Sequence, residues 1–218
     1  MGVFHRVMNA PDKSAVPLSN ASIKGEIENV QSLIDAGVDL NETDEYGWTA
    51  LQLAAAYGHE AIVRSLLRNG ADPNLTNVQG RNPLMYAAAF NHIQIVDDLL
   101  CAGTNVNATS KDPDDIHTGE TALMLAAWSG YVRMIRLLLA AGADVNAKGG
   151  PTGGTALHSA LWEGHATAIE VLLDAPSINI HEKDSSGKTA KDRALENQRM
   201  DIVELFEEFE KRKTVVRG

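Results

Sequence analysis

The feature that most constrains this chain is a repeat with a period of 33 residues. Residues 44–76 lie over residues 77–109 without a gap: Gly47 meets Gly80, Leu51 meets Leu84, Ala54 and Ala55 meet Ala87 and Ala88, and His59 meets His92. The register continues through Ile62-Val63 on Ile95-Val96, Leu66-Leu67 on Leu99-Leu100, Gly70 on Gly103 and Asn74 on Asn107. Two further copies follow, over 116–148 and about 150–183. A copy this short cannot enclose a core of its own. The period therefore demands a solenoid, in which each unit buries its apolar face against its neighbours.

One copy, 44–76, shows how. Thr49-Ala50 opens a helix, threonine being a good acceptor for exposed N–H groups at a helix start. Leu51, Ala54 and Ala55 share one face at spacings of three and four, and the small alanines let neighbouring helices approach closely. Gly58 supplies the left-handed turn that ends this helix. A second helix follows, with Ile62, Val63, Leu66 and Leu67 as its buried stripe and Gly70 as its stop. The segment from Ala71 to Asn74 leads outward to a turn tipped by Gly80. Helices of two or three turns are marginal alone, so stacking must stabilise them.

The pattern resembles the ankyrin-repeat family over about residues 17 to 209, most closely at Gly47-Trp48-Thr49-Ala50-Leu51, at Gly70-Ala71-Asp72-Pro73-Asn74 and at Gly142-Ala143-Asp144-Val145-Asn146-Ala147. The resemblance implies an all-α solenoid of about six stacked helix-turn-helix units with projecting β-hairpin turns. The expected ankyrin-repeat domain is 17–213, in units of about 17–43, 44–76, 77–109, 116–148, 150–183 and 184–213, with an insertion at 110–115. Residues 1–16 read as a flexible arm and 214–218 as a tail. The first and last units read as polar caps: Ser19, Asn20, Ser22 and Lys24 interrupt one apolar skeleton, Lys191 and Gln198-Arg199 the other, and Glu207 to Lys213 coat the end with charge.

Net charge is −10, and residues 40–120 hold eleven acidic against four basic side chains, which is −7. Such a surface repels nucleic acid and favours a basic protein or peptide, chiefly through encounter rate. It also serves solubility alone. A single cysteine, Cys101, gives no intrachain disulfide framework and points to a reducing compartment, the cytoplasm, with the nucleus or secretion as an effector left open. The first 16 residues lack the apolar run of a secretory signal, and no stretch approaches the roughly 20 apolar residues of a bilayer span. No membrane contact is expected, and the unbound chain reads as a monomer.

Chemistry has few footholds. Lys111-Asp112-Pro113-Asp114-Asp115, in the insertion, lacks the alternating ligands, central glycine and late glutamate of a calcium loop and reads as a lengthened, solvated turn. His59, His92 and His165 share one slot after the turn glycine or its replacement Asn91, and are expected to be structural, stacked and hydrogen-bonded locally. No phosphate loop, nucleophile elbow or His-Glu-x-x-His occurs, so no catalytic residue, metal or cofactor is expected.

The residues that the repeat leaves variable are more informative. By the resemblance, the residue after the turn glycine and the two before the inter-helix glycine face a groove. Those slots hold Trp48, Tyr57, Phe90, Trp128, Trp162 and Glu163, with Tyr46 and Glu45 at a turn tip and Glu120 on the rim. Met85 and Met124 fill the slot that His158 takes in the fifth unit. All three tryptophans thus fall where the stack does not need them, which suits a protein-binding patch because large aromatics dominate interface hot spots. The competing reading has Trp128 and Trp162 packing on the neighbouring first helix. The expected function is a non-catalytic protein–protein interaction module. A stoichiometric enzyme inhibitor or a structural spacer within a larger assembly is the alternative.

Overall fold

The computed structural model describes residues 16–111 and 118–215. The arm up to residue 15 and most of the insertion lie outside the described residues. Twelve helices are described: α1 (Pro17–Lys24), α2 (Ile27–Asp35), α3 (Ala50–Tyr57), α4 (Glu60–Arg68), α5 (Pro83–Ala89), α6 (Ile93–Cys101), α7 (Ala122–Trp128), α8 (Val132–Ala140), α9 (Ala156–Trp162), α10 (Ala166–Leu173), α11 (Ala190–Glu196) and α12 (Met200–Val215). No strand occurs among the described residues. The turns are pinned by isolated antiparallel bridges, Thr43 with Thr49, Gly149 with Gly154 and Lys183 with Thr189. The chain divides into two compact units, 1–105 and 106–218.

In the first unit α1, α3 and α5 pack in one row and α2, α4 and α6 in a second. In the other unit α7, α9 and α11 form the first-helix row, and α8, α10 and α12 the second. Between the rows lie the residues predicted from the period: Leu51, Ala54, Ala55, Ile62, Val63 and Leu66 are fully buried, as are Ala126, Ile135, Leu138, Ile169 and Leu172. Burying each branched side chain contributes about 1.5–3 kcal/mol, which offsets the weakness of such short helices.

The caps form as predicted. Thr49 Oγ1 accepts from the Gln52 N–H while Gln52 Oε1 accepts from the Thr49 N–H, a reciprocal capping box. Thr121 and Asn82 cap α7 and α5, and Thr189 with Asp192 rebuilds the box on α11. Gly58 closes α3 at φ 80°, and a Cβ added there would stand 2.6 Å from the His92 ring. That position thus needs glycine for both backbone and space. Asn91 and Gln198 take the same left-handed turn at φ 61° and 55°, and asparagine tolerates it best among the larger residues.

Several ties join consecutive helix pairs, and the histidines correct the expectation of local bonds. His59 Nε2 lies 3.0 Å from the Ile23 carbonyl and His92 Nε2 3.2 Å from the Ala56 carbonyl, each one repeat back. Arg199 stands in the histidine slot of the last pair and does the same work, donating from Nη2 to the Gly164 carbonyl at 3.3 Å. Asparagines reach the other way. Asn41 Oδ1 accepts from the Asp72 N–H and Asn74 Oδ1 from the Asn105 N–H. Asn107 accepts from the Asp144 N–H and donates to the Gly142 carbonyl, and Asn146 accepts from the Asn179 N–H and donates to the Ser177 carbonyl.

The neck of the lengthened turn is visible: the Ser110 N–H donates to the Glu120 carbonyl and the Gly119 N–H to the Ser110 carbonyl, a closure over ten residues where Asp44–Trp48 closes over four. The end units carry charge outside as expected, Lys24 at one and Glu207, Glu208 and Lys211 to Lys213 at the other being exposed, but two details differ. Ser19 and Ser22 are buried, because they take the slots of Gln52 and Ala55. Leu195, in the slot of the buried Ala55, Ala88, Ala127 and Leu161, is exposed, as is Met200. Helix α12 runs through Val215, two residues into the expected tail.

Candidate functional site

Four of the eleven expected site residues are not at the surface. Trp48 is only 7% exposed. Its ring lies 4.4 Å from the ring of Tyr86, and both pack with Leu53 and Ala56 beneath Ile23 and Phe90. The slot after the turn glycine points into the fold at every full repeat: Arg81, Glu120 and Gly154 are buried there too. Glu120 is therefore no exposed rim carboxylate. Met85 and Met124 are also buried. They occupy the third position of a first helix, the position that Gln52 and His158 hold in theirs. Gln52 uses that position to donate from Nε2 to the Leu75 and Arg81 carbonyls, at 3.0 and 2.8 Å, and His158 to reach the Lys188 carbonyl at 3.2 Å. Methionine fills the space without those bonds.

Burial sets the charge state of two of these core groups. The His158 pKa is pushed down chiefly by desolvation, and its Nδ1 accepts from the Thr155 N–H, so Nε2 carries the proton given to Lys188. The Tyr86 hydroxyl, pushed up to about 12 by burial, stays neutral while it accepts from Asn77 Nδ2 at 2.7 Å and donates to Gln79.

The other seven reach solvent to different degrees. In the unit of residues 106–218, Trp128 and Trp162 stack with ring centroids 5.9 Å apart and planes 23° from parallel. Trp128 is half-buried, whereas Trp162 is 64% exposed and Glu163 beside it is exposed. The two readings of these tryptophans thus meet: Trp128 packs on the neighbouring pair, but what it packs against is Trp162. In the unit of residues 1–105, Tyr46 and Tyr57 are exposed, Phe90 is half-buried and Glu45 is exposed. Two of these rings lie beside a histidine tie, Tyr57 by His59 and Phe90 by His92, with centroids 6.4 and 6.3 Å apart.

Sequence reasoning missed Val78. It is 63% exposed at the tip of the turn after Tyr46, joined to it by a bond from the Val78 N–H to the Tyr46 carbonyl at 3.2 Å. Its signal was available as a lone apolar residue between two turn formers, Asn77 and Gly80. Among the described residues, no group of three or more His, Cys, Asp or Glu is arranged to hold a metal ion, and no helix is long and apolar enough to cross a membrane. What the surface offers is aromatic area set beside carboxylates, which suits recognition of another chain.

Comparison with known proteins agrees with the architecture. A family model of ankyrin repeats (3 copies) matches residues 18–110. A second, of ankyrin repeats (many copies), matches 85–139 and 130–173. A search of curated proteins returned no match.

Proposed function

Because this chain belongs to the ankyrin-repeat family, whose members are generally protein–protein interaction modules and typically non-catalytic, we propose that it binds a partner protein through aromatic side chains of its first helices and turn tips. The observation that carries this reading is Trp162, a ring 64% exposed and backed by a second tryptophan. Two stacked tryptophans at the surface make adjoining apolar area of the kind that marks interaction sites, and tryptophan is enriched among interface hot spots. Trp162, Trp128, Tyr57 and Phe90 act as anchors; Tyr46, Val78, Glu45 and Glu163 orient the partner. Trp48, Met85, Met124 and Glu120 contribute from below, by fixing the helices and turns on which the anchors stand.

The preferred partner is a basic protein or peptide, supported by the excess of carboxylates between residues 40 and 120. The unbound chain is a monomer, and its compartment is the cytoplasm, the latter reading supported by its single cysteine, Cys101. The test is affinity capture with the wild type and a Trp128→Ala/Trp162→Ala double variant, parallel Tyr46→Ala/Tyr57→Ala capture probing the other unit. Partners lost from either folded variant support the reading. Identical partner sets in wild type and both variants reject these surfaces. An inhibitor role would show as loss of activity in the captured enzyme, and a spacer as no aromatic-dependent partner at all.

A further inference from the structure

Resting on the partner-binding reading above, we infer that Trp162 and Glu163 form a receptor for a planar cation, an arginine side chain of the bound partner. Trp162 has one face toward Trp128, yet 64% of the residue remains open to solvent. A third flat group laid on the open face continues a stack whose first two planes already lie within 23° of parallel. Guanidinium is flat, permanently charged and weakly hydrated, and it stacks on indole with little loss of solvation. Its N–H edge then points outward, where a carboxylate can accept it.

The nearby charges favour this occupant over a neutral one. Glu163 is exposed and makes no ion pair among the described residues. The position one repeat on from Trp162 is Glu196, 34 residues along, as Trp162 is from Trp128. Glu196 is already held by Lys188 Nζ at 2.8 Å and by Arg193 Nη1 at 3.2 Å. Arg193 also holds the buried Asp184 at 2.7 Å, and Asp192 is engaged in the cap of α11. Arg199, whose Nη2 bonds the Gly164 carbonyl next to Glu163, is itself taken up by Asp201 at 2.8 Å, so Glu163 keeps no ion pair among the described residues while the cations around it are engaged elsewhere. An apolar side chain on Trp162 would cover that carboxylate without pairing it, which costs free energy. A lysine would restore the charge, but its round, strongly hydrated ammonium cannot extend the stack.

The test uses the full chain labelled with 15N and the indole N–H signals of its tryptophans. The probes are N-acetyl-arginine methylamide, its lysine counterpart and its uncharged, isosteric citrulline counterpart. The expected result is a saturable shift of the Trp162 signal, with arginine binding roughly threefold tighter than lysine and citrulline giving no saturable shift. Trp162→Ala abolishes arginine binding and Glu163→Gln weakens it roughly threefold; both side chains are exposed, and circular dichroism checks that both variants fold. Equal binding of lysine, or of citrulline, overturns the inference, as does an unmoved Trp162 signal. Selecting peptides from a displayed random library separates the two levels of the argument. Winners rich in arginine that fail on Trp162→Ala support both. Winners lacking arginine that still protect Trp162 leave the partner-binding reading standing and reject the arginine receptor. Winners that protect neither Trp162 nor Tyr57 reject the reading itself.

Discussion

Trp48 and Trp162 have the same chemistry and opposite surroundings, so truncating each separates structural from binding roles. Burying a tryptophan removes about 200 Å² from water, and at about 25 cal/mol/Å² this contributes about 5 kcal/mol. Alanine retains part of that, and the cavity beside Tyr86, Leu53 and Ala56 adds to the loss. Trp48→Ala should therefore cost about 3–5 kcal/mol, a large share of the roughly 5–15 kcal/mol typical of a folded protein. For a chain of 218 residues this lowers Tm by about 10 °C. Trp162→Ala removes a ring that is 64% exposed and should stay within about 0.5–1 kcal/mol, the pair with Trp128 being the main loss. Urea titration followed by far-ultraviolet circular dichroism, with thermal scans, measures both. Equal midpoint shifts for the two variants would refute the division of roles by burial, and with it the removal of Trp48 from the binding surface.

Three further outcomes are expected. Gly58→Ala and Gly70→Ala both place a side chain at positive φ, but only the first drives a Cβ into the His92 ring; chemical denaturation should show Gly58→Ala the more destabilising by about 1–2 kcal/mol. His158 is neutral in the fold because burial lowers its pKa, so its contribution is complete above the unfolded value of about 6.5 and is lost as pH falls from there toward the folded pKa. His158→Gln, which places in this slot the residue found at Gln52, should remove that acid-side decline while keeping midpoint stability at pH 8, as denaturation at a series of pH values would show. Asn146→Ala deletes the bonds to the Asn179 N–H and the Ser177 carbonyl. It should cost about 1–2 kcal/mol and speed hydrogen exchange at the Asn179 amide, although Asn179 lies 33 residues away.

The fold was legible because its information is periodic. Ala54, Leu66 and Gly70 each appear again one repeat later, and a slot filled repeatedly by one residue type is under one physical demand. The candidate surface was legible only where its residues stay outside the stack, as at Trp162, Tyr46 and Tyr57. The slot after the turn glycine holds Trp48, Arg81, Glu120 and Gly154, four residues with no shared polarity, so variability passed for exposure. Its burial comes from the turn folding back on the first helix, which leaves no apolar periodicity to find. The slot of Met85 was misread for a related reason. Gln52, Met124 and His158 satisfy the same buried position, one by filling it and the others by bonding a turn some 30 residues away. Long-range hydrogen bonds of this kind have no local pattern.

The side chains that reach back from one pair to the carbonyl before it give the chain a sense of time. During synthesis the carbonyl of Ile23 must wait for His59, that of Ala56 for His92 and that of Gly164 for Arg199, a delay of about 35 residues in each case. A helix pair emerging from the ribosome is thus always one partner short, its latest helix end hydrated until the next pair arrives. Growth of this kind rewards vectorial assembly, and a ribosome stalled between two repeats would present a nascent edge whose helix-end carbonyl still lacks its donor.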